Sequence, residues 1–420
     1  MNLNMHNETQ LERFLDEKGL EYMPFDPMRA PKIFKQLKIP HSSTQKIIQI
    51  IGTNGKGSTG RFLSLMLYKL GIKVGHFSSP HLLCLSERFW KNGANLSREA
   101  LNEAFLALDS IAESQLEQAS YFEVLTFLAF SVFSDCEVLV LEAGLGGEFD
   151  STTTCVQAEL SLFTSIGLDH QEFLGDTLEQ IATTKLNAMS KRAILGFQSD
   201  KDVDKIVRIA KEIAKEKNTQ LKILEEIPFQ ITQFIKMKNY PNYQAQNLAL
   251  AYNGLLVLKE ILEKEQESLH KILKEFSLNS LLESLPPLDL QGRMQRLSSN
   301  IYLDVAHNVN AAQVLVKQLK NEDFSQNKCV LVYNSYSDKN PRAVLSIFLP
   351  IIKRVEILEI SNARIMEKAQ LEQILQELNI EFKDFKRVNP QENYLVCGSF
   401  SVVAEFLTHF LDNKIIWIGK

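Results

Sequence analysis

The run KIIQIIG (46–52) is apolar and β-branched throughout, and it passes through a glycine-rich loop straight into a segment where Leu and Met recur at helical spacing up to Gly71. A strand with no polar alternation must be covered on both faces, which is the condition of a parallel sheet sandwiched by helices. The pattern then recurs. KVGHF (73–77), EVLVLEA (137–143) and LSLFTSI (160–166) read as further buried strands, while Ser58–Leu70, Ser97–Glu113, Tyr121–Phe133, Thr177–Ser190 and Tyr243–Leu262 read as helices. The stretch SLLESLPPLDLQGR (280–293) breaks the rhythm with a Pro–Pro pair. Beyond it NIYLDVA, KCVLVYN, RVEILEI, NYLVCGS and KIIWIG restart the strand–helix alternation. The expectation is an α/β protein of two domains, 1–286 and 287–420, each with its own sheet; 420 residues exceed what one ordinary core organises.

Bulk chemistry narrows the function classes. The net charge is −5 with no basic block, so nucleic acid is not an expected partner. The amino-terminal residues are acidic where a signal peptide needs a basic flank, and the longest mostly apolar run, Val124–Phe133, is far below the roughly 20 residues that span a bilayer. Five scattered cysteines without a CxxC pair fit a reducing cytoplasm and no zinc site.

Three stretches carry chemistry. In Gly52-Thr53-Asn54-Gly55-Lys56-Gly57-Ser58-Thr59 a strand feeds a helix N-terminus, where free N–H groups and the positive end of the helix dipole attract an anion, with Lys56 as a point charge. Ile50 and Ile51 stand where the first glycine of the GxxxxGK[ST] spacing would fall, so the loop departs from that form. In VLVLEAGLGGEFDSTTT (138–154), Glu142 closes a buried strand ahead of Gly144, Gly146 and Gly147. Ligands of open α/β sheets gather at that edge, and a carboxylate there suits Mg²⁺ on a nucleotide. In TSIGLDHQEFLGDTLEQIATTK (164–185), Asp169 and His170 follow a third strand; on general grounds a magnesium ion prefers oxygen to a histidine nitrogen.

Taken in order, GTNGKGS, FSSPHL with ERF..NG (77–93), SYFEVLT (120–126), EAGLGG.FD (142–150), TSIGLDH...LG.T...IA..K (164–185), GR.Q (292–295), DVAHN (304–308) and LVCGS (395–399) resemble the bifunctional dihydrofolate synthase/folylpolyglutamate synthases of the Mur ligase superfamily. The likeness covers roughly residues 45–400. It implies an N-terminal P-loop-type Mur-ligase central domain with a mostly parallel sheet, plus a smaller C-terminal Rossmann-like domain.

The resemblance also implies roles. Gly52 to Thr59 would bind ATP phosphates, with Lys56 bridging the β and γ groups. Ser79, Glu142 and His170 would hold two Mg²⁺ ions. Lys185 is similar to a lysine carbamylated by CO₂. Asn247, Arg293 and Asp304 match nucleotide contacts, Asp304 a ribose contact, and His307 belongs with Asp304 as a catalytic position. Ser120, Tyr121, Phe122, Glu123 and Asp150 fall at the pterin substrate, with Arg29 a weaker match. The implied partners are small molecules only (ATP, L-glutamate, and dihydropteroate or a folyl-glutamate), handled by a monomer. Departures from the family pattern are Glu148 for Arg, Thr153 for Asn, Tyr243 for His, Val305 for Gly and Val309 for Pro. The charge reversal at Glu148 bears on substrate range.

The chemistry explains why such residues are needed. A carboxylate accepts an amine only after its oxygen becomes a leaving group, which transfer of the ATP γ-phosphoryl group achieves. Cations must then meet the spreading negative charge, and the acyl phosphate must be kept from water, a purpose for a closing second domain. Polyglutamylation without dihydrofolate synthesis, a Mur-type ligase acting on another carboxylate, a simple P-loop kinase and a non-catalytic nucleotide-binding regulator remain open at this level.

Overall fold

The computed structural model describes residues 8–18, 26–39, 44–112, 114–265, 276–320 and 328–412. By internal contacts the chain forms two compact units: residues 1–167, 177–240 and 244–288, and residues 168–176, 241–243 and 289–420. The short 168–176 and 241–243 segments, though within 1–288 in sequence, group with the second unit.

The first unit is built on an eight-stranded sheet: β1 (Lys46–Ile51), β2 (Val74–Phe77), β3 (Phe89–Lys91), β4 (Ala94–Asn95), β5 (Val138–Glu142), β6 (Leu160–Phe163), β7 (Arg192–Leu195) and β8 (Gln220–Ile223), in the order β4-β3-β2-β5-β1-β6-β7-β8. Neighbours from β2 to β8 pair in parallel, and the β2–β3–β4 edge is antiparallel. Every residue of β1 is buried. Ile48 and Ile50 join one core with Phe62, Leu63 and Met66, whereas Ile47 joins another with Leu139, Leu141 and Phe127. Two cores on opposite faces are what an unbroken apolar strand demands. The helices fall close to the expected segments, at Lys56–Lys69, Arg98–Ala112, Tyr121–Val132, Leu178–Leu186 and Gln244–Glu265.

The second unit carries β9 (Gln295–Ser298), β10 (Ile301–Leu303), β11 (Cys329–Tyr333), β12 (Ile352–Ile357), β13 (Phe382–Asp384) and β14 (Tyr394–Cys397) in the order β13-β12-β11-β14-β10-β9. All pairs are parallel except β9 with β10. The strand expected at KIIWIG (414–419) lies outside the described residues.

Candidate active site

In the first unit the chain leaves β1 and turns into the Lys56–Lys69 helix over Gly52–Gly55. Gly52 (φ +152°) and Gly55 (φ +89°) hold backbone angles that side chains disfavour. Space excludes a side chain as well, since a Cβ on Gly52 would lie 1.9 Å from Thr164 Oγ1, and one on Gly55 2.4 Å from Asn247 Oδ1. The loop is pinned to the end of β6: Thr53 N donates to Ser165 O (2.8 Å), and Thr53 Oγ1 pairs with Gly167 through both its proton and its lone pair. Gly55 caps the helix without any side-chain hydrogen bond to the first turn, which leaves its N–H groups to an anion.

Lys56 Nζ lies 3.7 Å from Glu142 Oε1 at the end of β5. Glu142 is buried, and its Oε2 accepts the Ser79 backbone N–H at 3.2 Å. Ser79 Oγ accepts from Arg88 Nη1 (3.0 Å), while Arg88 Nε donates to His81 Nδ1 (2.8 Å). Burial, followed by the Arg88 charge, pushes the His81 pKa down to about 3, so its ring is the neutral acceptor this geometry requires. The Lys185 ammonium is buried between two carbonyls, Gly52 O at 3.2 Å and Gly146 O at 3.5 Å, and so joins the two glycine loops.

The expected pterin-contacting residues open the Tyr121–Val132 helix. Ser120 and Glu123 form a capping box, and Glu123 Oε2 accepts both Ser120 N (2.7 Å) and Arg29 Nε (2.8 Å). Phe122 packs 5.6 Å from the Phe77 ring and fills the space above Gly144. Tyr121 lies beneath the Arg88 guanidinium. Asp150 caps Ser151–Thr154 and accepts Leu145 N; burial raises its carboxyl above the usual range despite these hydrogen bonds. Glu148, in place of the family arginine, accepts Asn187 Nδ2 at 2.9 Å.

A different kind of site lies in the second unit, which carries Arg293, Asp304, His307 and also Asp169 and His170. Asp304 Oδ2 accepts Met294 N and Oδ1 accepts Ala306 N, each at 2.8 Å, and the Tyr243 hydroxyl reaches Oδ2 at 3.4 Å. Burial raises the Asp304 carboxyl against the opposing Arg293 charge. The Arg293 guanidinium stacks over the Phe400 ring. Asp169 is the hub: Oδ1 accepts Lys339 Nζ (2.6 Å), Oδ2 accepts Asn308 Nδ2 (3.2 Å), and His307 Nε2 lies 3.4 Å from Oδ2. Burial alone would raise this carboxyl, but the His307 hydrogen bond and the charges of His307, His170 and Lys339 hold it well below its ordinary value. His170 follows in a left-handed conformation (φ +50°).

The expected residues therefore gather as two sets. Gly52–Thr59, Ser79, Glu142, Lys185 and Asn247 sit in the first unit, and His170, Arg293, Asp304 and His307 in the second. Sequence reading gave no role to Arg88, Lys339 or Gln244, and noted Asp169 only beside His170. The SDKN that follows β11 was the available signal for Lys339, since polar residues past the carboxyl end of a parallel strand sit where α/β sheets bind ligands. Among the described residues no three His, Cys, Asp or Glu side chains converge on a metal position. Ser79 and Glu142 are hard oxygen donors, a set that fits a magnesium ion completing its shell with phosphate oxygens.

The chain is similar to proteins of known family. Residues 50–223 match the Mur ligase middle domain. A dihydrofolate synthase/folylpolyglutamate synthase of Buchnera aphidicola is 31% identical over 85% of this chain and 86% of its own. The crystal structure of Helicobacter pylori folylpolyglutamate synthetase aligns with a TM-score of 0.72 at 37% identity, covering 96% of this chain and 98% of that one. A bifunctional folylpolyglutamate synthase/dihydrofolate synthase with Mn, AMPPNP and L-glutamate bound aligns at 0.77 with 26% identity, again over 96% and 98%.

Proposed function

Because the chain belongs to the dihydrofolate synthase/folylpolyglutamate synthase family, we propose that it ligates L-glutamate, at the expense of ATP, to dihydropteroate and to the glutamate tail of folates. The observation that carries this is the uncapped helix N-terminus at Gly55, with Lys56 and the buried Glu142 beside it.

The backbone N–H groups of the loop hold the phosphates, and Lys56 leaves Glu142 to follow the charge that spreads over the β and γ oxygens. The substrate carboxylate attacks the γ phosphorus, an acyl phosphate forms and ADP departs. The glutamate amine then attacks the acyl carbon, and inorganic phosphate leaves with the original carboxylate oxygen. Ser79 and Glu142 would hold a divalent cation, which when bound neutralises phosphate charge; His170, expected as a further ligand, belongs to the second unit. Lys185 lies against the loop at Gly52, where a carbamate on Nζ would add a buried anion; electron density beyond Nζ tests that modification, and a bare ammonium refutes it. In the second unit Asp304 and Arg293 serve the nucleotide, and His307 is held by Asp169.

Polyglutamylation alone is the second reading, favoured by one observation: Glu123 Oε2, expected to meet the pterin, is already committed to Ser120 and Arg29. ATP consumption with glutamate plus dihydropteroate, plus tetrahydrofolate, or with neither separates the two. Turnover with both acceptors supports bifunctionality, and turnover with tetrahydrofolate alone leaves only polyglutamylation.

No described helix is long and apolar enough to cross a membrane, and all five cysteines are free thiols. We read the chain as a cytoplasmic monomer, which sedimentation at assay concentration tests.

A further inference from the structure

Gln244, the first residue of the Gln244–Glu265 helix, is 1% exposed, yet it carries a side chain with both donors and acceptors. Its Nε2 donates to Ser58 Oγ at 3.2 Å, and its Oε1 accepts Asn247 Nδ2 at 2.8 Å. Asn247 Oδ1 in turn occupies the space a Gly55 side chain would need. Gly55 is the cap of the Lys56–Lys69 helix and Ser58 is its third residue. One helical turn therefore grips the phosphate-loop bend at both ends, through a relay of hydrogen bonds linking Ser58, Gln244 and Asn247, the first two buried, and the close approach of Asn247 to Gly55.

We propose that Gln244 is a positioning residue of the nucleotide site, acting on the loop through Ser58. This rests on the reading of residues 52–59 as the phosphate loop. The hydroxyl of Ser58 has one proton and two lone pairs, and the Gln244 N–H occupies one lone pair from behind. That contact fixes where the rest of the hydroxyl points and holds the first-turn N–H groups in register. A buried amide is costly to leave half-paired, so the relay favours one loop shape over its alternatives. Such a residue sets the affinity for nucleotide and leaves the other substrates untouched.

Gln244→Met keeps the length and burial of the side chain and removes both hydrogen bonds. Calorimetric titration with ADP and magnesium, together with steady-state kinetics, should show ADP affinity lower by about tenfold and KM for ATP higher by a similar factor. KM for glutamate and for the folate acceptor should stay within about twofold. In the Gln244→Met/Ser58→Ala double variant the loss should fall short of the product of the single losses, because both act on one contact. Gln244→Glu preserves the shape but faces Ser58 with an acceptor, and gives the same selective loss should the Met variant fail to fold. Wild-type affinity for ADP in a folded Gln244 variant, equal losses in all KM values, or multiplicative loss in the double variant overturns the proposal. Failure of the wild-type protein to bind ADP overturns instead the reading of the loop itself.

Discussion

The phosphate loop of the first unit and the Asp169 hub of the second are built from opposite materials. At the loop, backbone does the work: glycine angles, a helix N-terminus without a side-chain cap, and hydrogen bonds to a neighbouring strand end set the shape, while Lys56 adds one charge. At the hub, side chains do it. One buried carboxylate gathers an ammonium, an amide and an imidazole from residues more than a hundred positions away in sequence. A substitution at Lys56 should therefore cost rate and spare the fold, whereas one at Asp169 should cost stability directly.

The largest expected effect is at Lys56. Lys56→Ala should lower ligation turnover by about 10²–10³ with the protein still folded, since it removes a positioned charge from the phosphoryl-transfer transition state. Turnover within about threefold of the wild type removes the lysine from the chemistry. Next is Asp169→Asn, which takes from the buried Lys339 ammonium its shorter carboxylate contact and leaves it only Asp338 Oδ2 at 3.5 Å; it should destabilise the protein by ~3 kcal/mol in denaturant unfolding. Asp169→Asn/Lys339→Met should recover part of this, and strict additivity would break the claim that the hub is one coupled unit.

Glu142→Gln should raise the magnesium concentration for half-maximal rate by about tenfold if the carboxylate acts through metal. An unchanged magnesium titration makes Glu142 structural, a partner only for Lys56 and the Ser79 amide.

The smallest effect is a control on an ion cluster that belongs to neither site. The Glu392 pKa is lowered from 4.5 to about 2, chiefly by the hydrogen bond from Arg354, which grips it through two nitrogens. A depressed carboxyl stabilises the fold above its unfolded value and loses that contribution as pH falls through its folded value. Glu392→Gln should thus destabilise the protein at neutral pH by ~2 kcal/mol, the full linkage being reduced by solvent screening of this outer cluster. The gap to wild type should close between pH 4.5 and about 2. A gap independent of pH would assign the effect to packing.

The same contrast explains what the sequence made legible. Strand β1, its glycine loop and the helix that follows are contiguous, so their pattern announces both the parallel sheet and the anion site. The capping box at Ser120 and Glu123 is equally local, three residues apart. The antiparallel edge, β3 and β4, escaped because its strands are short, and Ala94–Asn95 is exposed with no apolar run to mark it. The hub escaped for a different reason. Asp169 and Lys339 are each unremarkable as charged loop residues, and only the parallel order of β10, β11 and β14 brings the loops after β10 and β11 to one edge, where His307, Asn308 and Lys339 reach Asp169. Gln244 escaped because a buried amide in a helix's first turn has no periodic signature.

The central claim, that this chain activates a carboxylate as an acyl phosphate before glutamate arrives on it, is tested most directly by oxygen tracing. Dihydropteroate labelled with ¹⁸O in its carboxylate is incubated with the protein, ATP, magnesium and glutamate, and the released inorganic phosphate is weighed by mass spectrometry. The account predicts one labelled oxygen in each phosphate formed with product, lost together with product in Lys56→Ala. Product accompanied by unlabelled phosphate would contradict it.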